Sequence, residues 1–308
     1  MNVKKLFSEI LHWVTYSVNI YGLPRSTPSF DHVANVFLPA TIDACYLQDG
    51  TGLPGGIKND QGEWNTAGHH DRIVRVDEDA LATFSRLYDE PGTRVRRARL
   101  PALHAGALSS VLQKLAAFPR RLADLGDDYV STEMWHETIQ QKDGTIVRRS
   151  AFDNTFPKTP EDWVLSGPHF FVANPFYKTP RKNCNTPLAY DSISLEAVPD
   201  DYLPRTNYWP ISDRFEYRRR SPRANWVDEG EGREKTVIEL FRCFIRRRLS
   251  QSGERTLISA LVPPTAAHIN QVLSLAFRSN IDLVDVAGVT ASVVADFFVK
   301  STGLGDVY

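Results

Sequence analysis

Three prolines constrain this chain more tightly than any other feature. Pro199, Pro204 and Pro210 follow one another at short intervals. Each lacks the backbone N–H that a helix needs, and each pushes its predecessor out of the helical region. No regular helix can run through them, so Asp200 to Tyr208 reads as an extended loop. The surrounding text, from about Val130 onward, is aromatic, proline-rich and short-strand-like. Gly167 to Val172 reads as a turn entering a strand. Thr256 to Val262 reads as a buried strand halted by Pro263 and Pro264.

Helical periodicity lies elsewhere. Asp77 is placed to cap a helix with Leu81, Phe84 and Tyr88 on its apolar face, ended by Pro91-Gly92. Leu108, Val111, Leu112 and Leu115 have the spacing of one buried stripe on a second helix that stops near Pro119. A third is predicted from about Glu234 to Leu249. Val237, Leu240, Phe241, Phe244, Ile245 and Leu249 form its apolar side, and Arg242, Arg246, Arg247 and Arg248 its outer side. A last helix runs from about Leu283 to Lys300 and ends at Gly303. Met1 to Gly22 starts basic and turns apolar, but Glu9 and His12 interrupt the run and no small-residue cleavage site follows. That is the pattern of a short amphipathic helix rather than a signal peptide. Residues 23 to 72 are rich in Gly, Pro, Asn and Asp, with turns around Asp49 to Gly56. The expected fold is α+β in three parts: an N-terminal helix and Gly/Pro-rich loop region (1–72), a helical spacer (73–130), and a mixed strand and helix region with long loops (131–308).

The chain has 308 residues, 42% of them hydrophobic and 24% charged. That suffices for one large or two modest domains with real cores. Its net charge is −1, so no whole-molecule field draws it to nucleic acid or acidic lipid, and any DNA binding must come from a local patch. Cys45, Cys184 and Cys243 are sparse, widely spaced and odd in number, which argues against a disulfide framework or zinc site and fits a reducing cytoplasm. The best apolar run, Leu283 to Val299, carries Asp285 and Asp296 and is not expected to span a membrane.

Two motifs touch methyl-transfer chemistry. Gly50, Gly52 and Gly55 match the spacing of a dinucleotide or S-adenosylmethionine loop. Thr41 to Leu47 can supply the strand needed before it. Pro54, Gly56, Asn59, Asp60 and Gly62 cannot start the helix needed after it, which points to a plain glycine loop. Asn174-Pro175-Phe176-Tyr177 is similar to the Asn-Pro-Pro-Tyr/Phe signature of adenine methyltransferases, in which amide and proline carbonyl accept from the base amine and a ring stacks on the flipped base. The second proline is missing, so a strand-ending turn competes with that reading. There is no phosphate-binding Gly-Lys-Ser/Thr loop and no His-Glu-x-x-His zinc motif. His136-Glu137 lacks the Pro-Cys-x-x-Cys of a zinc deaminase, Pro199-Asp200 lacks the Glu-x-Lys of a nuclease core, and His69-His70 read as surface histidines.

Between Tyr202 and Arg255 the chain is dense in arginine: Arg205, Arg214, Arg218, Arg219, Arg220, Arg223, Arg233, Arg242, Arg246, Arg247, Arg248 and Arg255, with Lys235. Tyr202, Tyr208, Trp209, Tyr217 and Trp226 supply rings among them. Arginine's planar fork suits bidentate phosphate and guanine contacts. Asp213, Glu216, Asp228, Glu229, Glu231, Glu234 and Glu239 share the stretch, so a nucleic-acid surface and a solvated, self-paired one both remain open.

Several phrases resemble a known family. They are Gly126-Asp127-Asp128-Tyr129; Ser131-Thr132-Glu133-Met134-Trp135-His136-Glu137-Thr138; Leu165 to Val172; Asn174 to Arg181; Pro199 to Tyr208; and Leu249 to Ile258, followed by Pro263-Pro264 and Lys300 to Gly303. Together they look like the C-terminal target-recognition half of large type IIG-like, adenine-specific restriction-modification DNA methylases of bacterial phage-defence systems. The likeness runs from about Gly56 to the last residue. It implies recognition of double-stranded DNA by the 131–308 region, which stops where family members continue. In that family the Asn-Pro-Phe segment belongs to the recognition half. The S-adenosylmethionine domain lies upstream, and nothing in residues 1 to 55 supplies it. The implied cofactor is therefore none in this chain and S-adenosylmethionine for the full-length family, with a separate methyltransferase chain as a further partner. Lys178, Arg181, Arg205, Asn207 and Arg255 are the expected DNA contacts. Arg255 has the alternative of bracing Glu254 or Asp285, and Asn207 that of satisfying loop backbone. A complete small methyltransferase using Gly50, Gly52 and Asn174, and a non-catalytic interaction protein, are the competing readings.

Overall fold

Asp77 caps its helix as expected: the carboxylate accepts from the Ala80 N–H at 2.9 Å. The computed structural model divides into two compact units, residues 1–120 with 301–303, and residues 121–300 with 304–308. It describes every residue except Met1, Val3, His12, Trp13, Ser150, Ala151, Phe152, Asn154, Pro187 and Tyr308. The fold is mixed α+β. Among the described residues no helix is long and apolar enough to cross a membrane.

The first unit contains β1 (Phe30–His32), α1 (Ala40–Leu47), β2 (Val74–Val76), α2 (Glu78–Tyr88) and α3 (Leu108–Ala117). β1 and β2 pair antiparallel with Asp31 opposite Arg75. The predicted stripes of α2 and α3 do face inward, burying Leu81, Phe84, Leu112 and Ala116. Two expectations fail here. Thr41 to Leu47 is helix α1, not a strand, because Thr41 and Cys45 fall one turn apart and are buried together. The described residues between Lys4 and Gly22 form turns and extended chain, not a helix, and His12 lies outside the described residues. Asn2 turns its amide onto the carbonyls of Phe7 and Ile10 at 2.6 and 2.7 Å, and the β-branched Val14, Thr15, Val18 and Ile20 disfavour helix beyond.

The second unit holds, in chain order, β3 (Tyr129–Thr132), α4 (Glu137–Lys142), β4 (Ile146–Arg148), β5 (Val164–Leu165), β6 (Lys178–Pro180), β7 (Tyr190–Ser192), β8 (Tyr208–Pro210), α5 (Arg214–Arg220), β9 (Arg242–Arg246), β10 (Ser259–Val262), β11 (Ala267–His268), β12 (Val272–Phe277), α6 (Asn280–Ala291) and α7 (Val293–Ser301). One sheet is antiparallel in the order β10-β9-β12-β3. A second runs β11-β5-β8-β4 and is mixed, since β11 lies parallel to β5. β6 and β7 form a separate antiparallel ribbon. Phe244, Ala260 and Val272 from the first sheet share a core with Leu165 of the second and with Trp163 and Phe170, so one apolar cluster joins the two sheets. Fully burying a side chain of this size contributes about 1.5–3 kcal/mol.

The helix expected from Glu234 to Leu249 is absent. Val237 to Glu239 makes a single tight turn and Arg242 to Arg246 is the strand β9, flanked on both sides in its sheet. Arg242 through Ile245 are all buried, so apolar residues on both faces of the strand imitate the spacing of one helical stripe. Arg242, expected to face solvent, is fully enclosed; its guanidinium lies 5.1 Å from the Phe244 ring centre and donates to the carbonyls of Leu240 and Ala266. Gly167 to His169 is one helical turn, followed by a tight turn at Phe171 to Asn174 rather than a strand. The expected strand at Thr256 to Val262 forms from Ser259. The last helix breaks at Ser292, whose backbone is extended and whose Oγ accepts from the Ala295 N–H at 3.1 Å to start α7.

Candidate nucleic-acid interface

The edge strand β4 carries a basic-aromatic surface because its register sets Val147 opposite Trp209 and Arg148 opposite Tyr208 of β8. Ile146 points into the core, fully buried. The next residue along, Arg149, lays its guanidinium 4.1 Å from the Trp209 ring centre. Asp153, at 2.7 Å, and the Thr155 carbonyl hold it there. The backbone N–H of Thr155 and the Arg149 charge in turn keep the Asp153 carboxyl down to about 2. Val147, Arg148, Arg149, Asp153, Thr155 and Trp209 line a groove of about 470 Å³. Beside it, Lys182, Arg205 and Asn207 join Arg148, Arg149 and Asp153 around a polar recess of about 30 Å³, room for a water or two.

The β6–β7 ribbon closes one side of this recess, and its root is fastened to the body. Tyr190, opposite Pro180, is buried. Its hydroxyl lies 2.8 Å from Ser166 Oγ and accepts from Asn207 Nδ2 at 3.1 Å. Its ring meets His169 edge-on at 5.3 Å. His169 Nε2 lies 3.1 Å from the Arg205 carbonyl, and burial pulls this imidazole down to about 4, so it is neutral at pH 7 and donates from one nitrogen only. Arg205 donates to the carbonyls of Pro180 and Arg181, where the ribbon meets its loop. Burial first, then the charge of Arg149, lowers the Arg205 guanidinium from its ordinary value.

The structure brings four of the five expected contact residues to this ribbon, in two different roles. Lys178 lies on β6 with its ammonium 5.0 Å from the Tyr177 ring centre. Arg181 stands at the ribbon's end in a 2.8 Å pair with Asp191, both side chains about 60% exposed (58% and 60%), which is a weakly coupled surface pair. Arg205 and Asn207 face inward and hold the ribbon. Arg255 lies elsewhere. It pairs with Asp296 at 3.2 Å and donates to the carbonyls of Ala291 and Ser292 at the α6–α7 break. It therefore braces the helix junction rather than Glu254 or Asp285. Asp296 also accepts from the N–H groups of Thr256 and Leu257, both at 2.7 Å.

Many arginines of the dense stretch meet carboxylates, some within the stretch and some outside it. Arg214 meets Asp162, Arg218 meets Glu161, and Arg219 and Arg220 both meet Glu216. Arg233 meets Glu239, Arg247 meets Glu133 and Arg248 meets Asp306. Paired charge thus covers much of the stretch. The cations without a carboxylate partner among the described residues include Arg148 and Lys182, both exposed. Neither stands out in the sequence. The signals available were a Gly144 turn leading into Ile146-Val147-Arg148-Arg149 and a polar Lys182-Asn183 tip between two short strands.

The residues proposed for a methyl donor do not fit one. Gly50 and Gly52 take φ of +84° and +86° in a loop that follows helix α1 and leads into no helix. Side chains close this loop on itself: Gln48 accepts from the Gly50 N–H and Asp49 from the Thr51 N–H, and His69 Nε2 lies 3.1 Å from the Thr51 carbonyl. His69 is accordingly buried, not on the surface. Asn174 Oδ1 accepts from the Phe176 N–H at 2.9 Å within its own turn, a local role common for asparagine. Comparison of the chain with protein-family models, with curated proteins and with solved structures finds no match.

Proposed function

We propose that the second unit binds double-stranded DNA at the groove on β4 and β8 and the adjoining recess that the β6–β7 loop lines, as the recognition component of an adenine-methylating restriction or phage-defence system. The single observation that carries the reading is the composition of that groove. Arg148 and Lys182 stand exposed without carboxylate partners beside an indole face already capped by Arg149. An exposed lysine and a guanidinium laid 5.9 Å from the Tyr208 ring centre, next to the Arg149-capped indole, are what a phosphate backbone requires: donors for the anionic oxygens and a stiff wall for the sugar. The resemblance in the 131–308 region supplies the rest of the reading, including the methyl donor as the partner chain's cofactor and not this chain's.

In this account phosphate contact falls to Arg148 and Lys182, assisted by Lys178 and Arg181, while Arg205 and Asn207 set the ribbon's position. A gel-shift titration tests it. The double substitution Arg148→Ala with Lys182→Ala is expected to weaken duplex binding by at least about tenfold, and by the same factor for unrelated sequences, because phosphate contacts carry no base information. Unchanged affinity in that variant contradicts the assignment.

A further inference from the structure

We infer that Val14 to Ile20 pairs as an antiparallel strand with the same residues of a second copy of this chain. The inference is independent of the duplex-binding reading. Val14, Tyr16, Val18 and Ile20 alternate with Thr15, Ser17 and Asn19. That is the two-residue period of a strand with one apolar face, not the period of a helix. From Val14 to Gly22 the chain runs without a helical turn or a bend. Among the described residues no backbone group of Thr15 to Gly22 has a backbone partner. Val18 and Ile20 are 77% and 97% exposed. Ladder groups and apolar side chains are both left to water, the condition of an open strand that another strand would cover.

Length and register choose the occupant. Among the described residues no edge strand of this chain's sheets exceeds four residues, too short to hold the whole alternating run. A second copy of the run matches it in length. Val14 to Leu23 carries no charge that would oppose like strands. Antiparallel pairing centred on Ser17 sets Val14 opposite Ile20, Tyr16 opposite Val18 and Thr15 opposite Asn19. Apolar then meets apolar on one face and polar meets polar on the other, whereas a slip of one residue mixes them. The two-fold axis passes through Ser17, so the interface is isologous. The Phe7 ring, edge-on to Tyr16 at 4.8 Å, adds apolar surface beside the run. A two-stranded ribbon is marginal in water, so the dimer is weak and concentration-dependent.

Sedimentation velocity of the full chain over a concentration series, with air oxidation of two cysteine variants, tests the pairing. Ser17→Cys brings two thiols across the axis with Cα atoms about 4.5–5.5 Å apart, within disulfide reach. Thr15→Cys leaves them more than about 13 Å apart and out of reach. The native thiols of Cys45, Cys184 and Cys243 are buried. The expected results are a monomer–dimer equilibrium, a covalent dimer from Ser17→Cys and none from Thr15→Cys. In Ser17→Asp two carboxylates meet on the axis, and the dimer dissociation constant should rise about threefold or more. A parent chain that stays monomeric throughout overturns the inference and assigns the run to the sheet edge of a different protein. Equal cross-linking at both positions, or an unchanged constant in Ser17→Asp, overturns it as well. Thr15 and Ser17 are exposed, so the variants leave the interior untouched, and the parent's sedimentation decides without them.

Discussion

At the scale of single residues, charge here is decided by burial and partner more than by type. Arg205 and Arg255 look alike in the sequence, yet one clamps a ribbon and the other a helix break. Neither carries its charge to the surface. The buried imidazoles make the same point with a measurable consequence. Burial drives His169 down to about 4 and His268 to about 3. A histidine that is neutral when folded binds fewer protons than its unfolded form, whose pKa is about 6.5. Its stabilising effect is therefore complete above that value and declines as pH falls through the window toward the folded one. The carboxylates held low, Glu216 and Glu239 at about 2, act only below their ordinary value of 4.5. Between pH 7 and pH 5 the histidines should dominate, at a loss on the order of 2 kcal/mol each. Denaturant midpoints measured at the two pH values check this; a flat or rising midpoint on acidification contradicts it.

At the scale of elements, legibility followed the range of the determining contacts. α2 and α3 could be read because cap, stripe and stop are all local: Asp77 bonds three residues on, and Leu81 with Phe84, or Leu112 with Ala116, bury one face. β9 could not, because its environment is assembled from distant chain. Met134, Ala266 and Phe244 enclose Arg242, and no local pattern announces a buried guanidinium. The break between α6 and α7 was hidden for a similar reason, since Arg255 collects the carbonyls that the break exposes. Of the candidate site, the sequence offers Lys178, Arg181, Arg205, Asn207 and Arg255; the first four meet at the ribbon and Arg255 does not, and inward and outward side chains, like Arg148, are not legible in it. The strand assignment of β9 has its own test in urea unfolding. Arg242, which a helix would turn outward but which the strand encloses, should cost at least about 2 kcal/mol as Arg242→Ala. Arg248, whose side chain is 70% exposed, should cost less than about 0.5 kcal/mol as Arg248→Ala. Comparable losses at the two positions would contradict the buried strand.

At the scale of the molecule, a net charge of −1 leaves no general attraction to a polyanion, so duplex binding has to be the work of a small surface. The surface proposed for it is the Arg148 and Lys182 side of the second unit, with its ribbon held from behind by Arg205, Tyr190 and His169. The arginine-rich stretch contributes mainly arginines already paired with carboxylates, among them Arg219 and Arg220 with Glu216. The most direct test is the salt dependence of duplex affinity, read by fluorescence anisotropy over a range of salt concentrations. The account predicts a straight decline of log affinity with log salt, and a slope made shallower by about 0.9 in Lys182→Ala. Binding that ignores salt, or a Lys182→Ala chain with the parent slope, would contradict it.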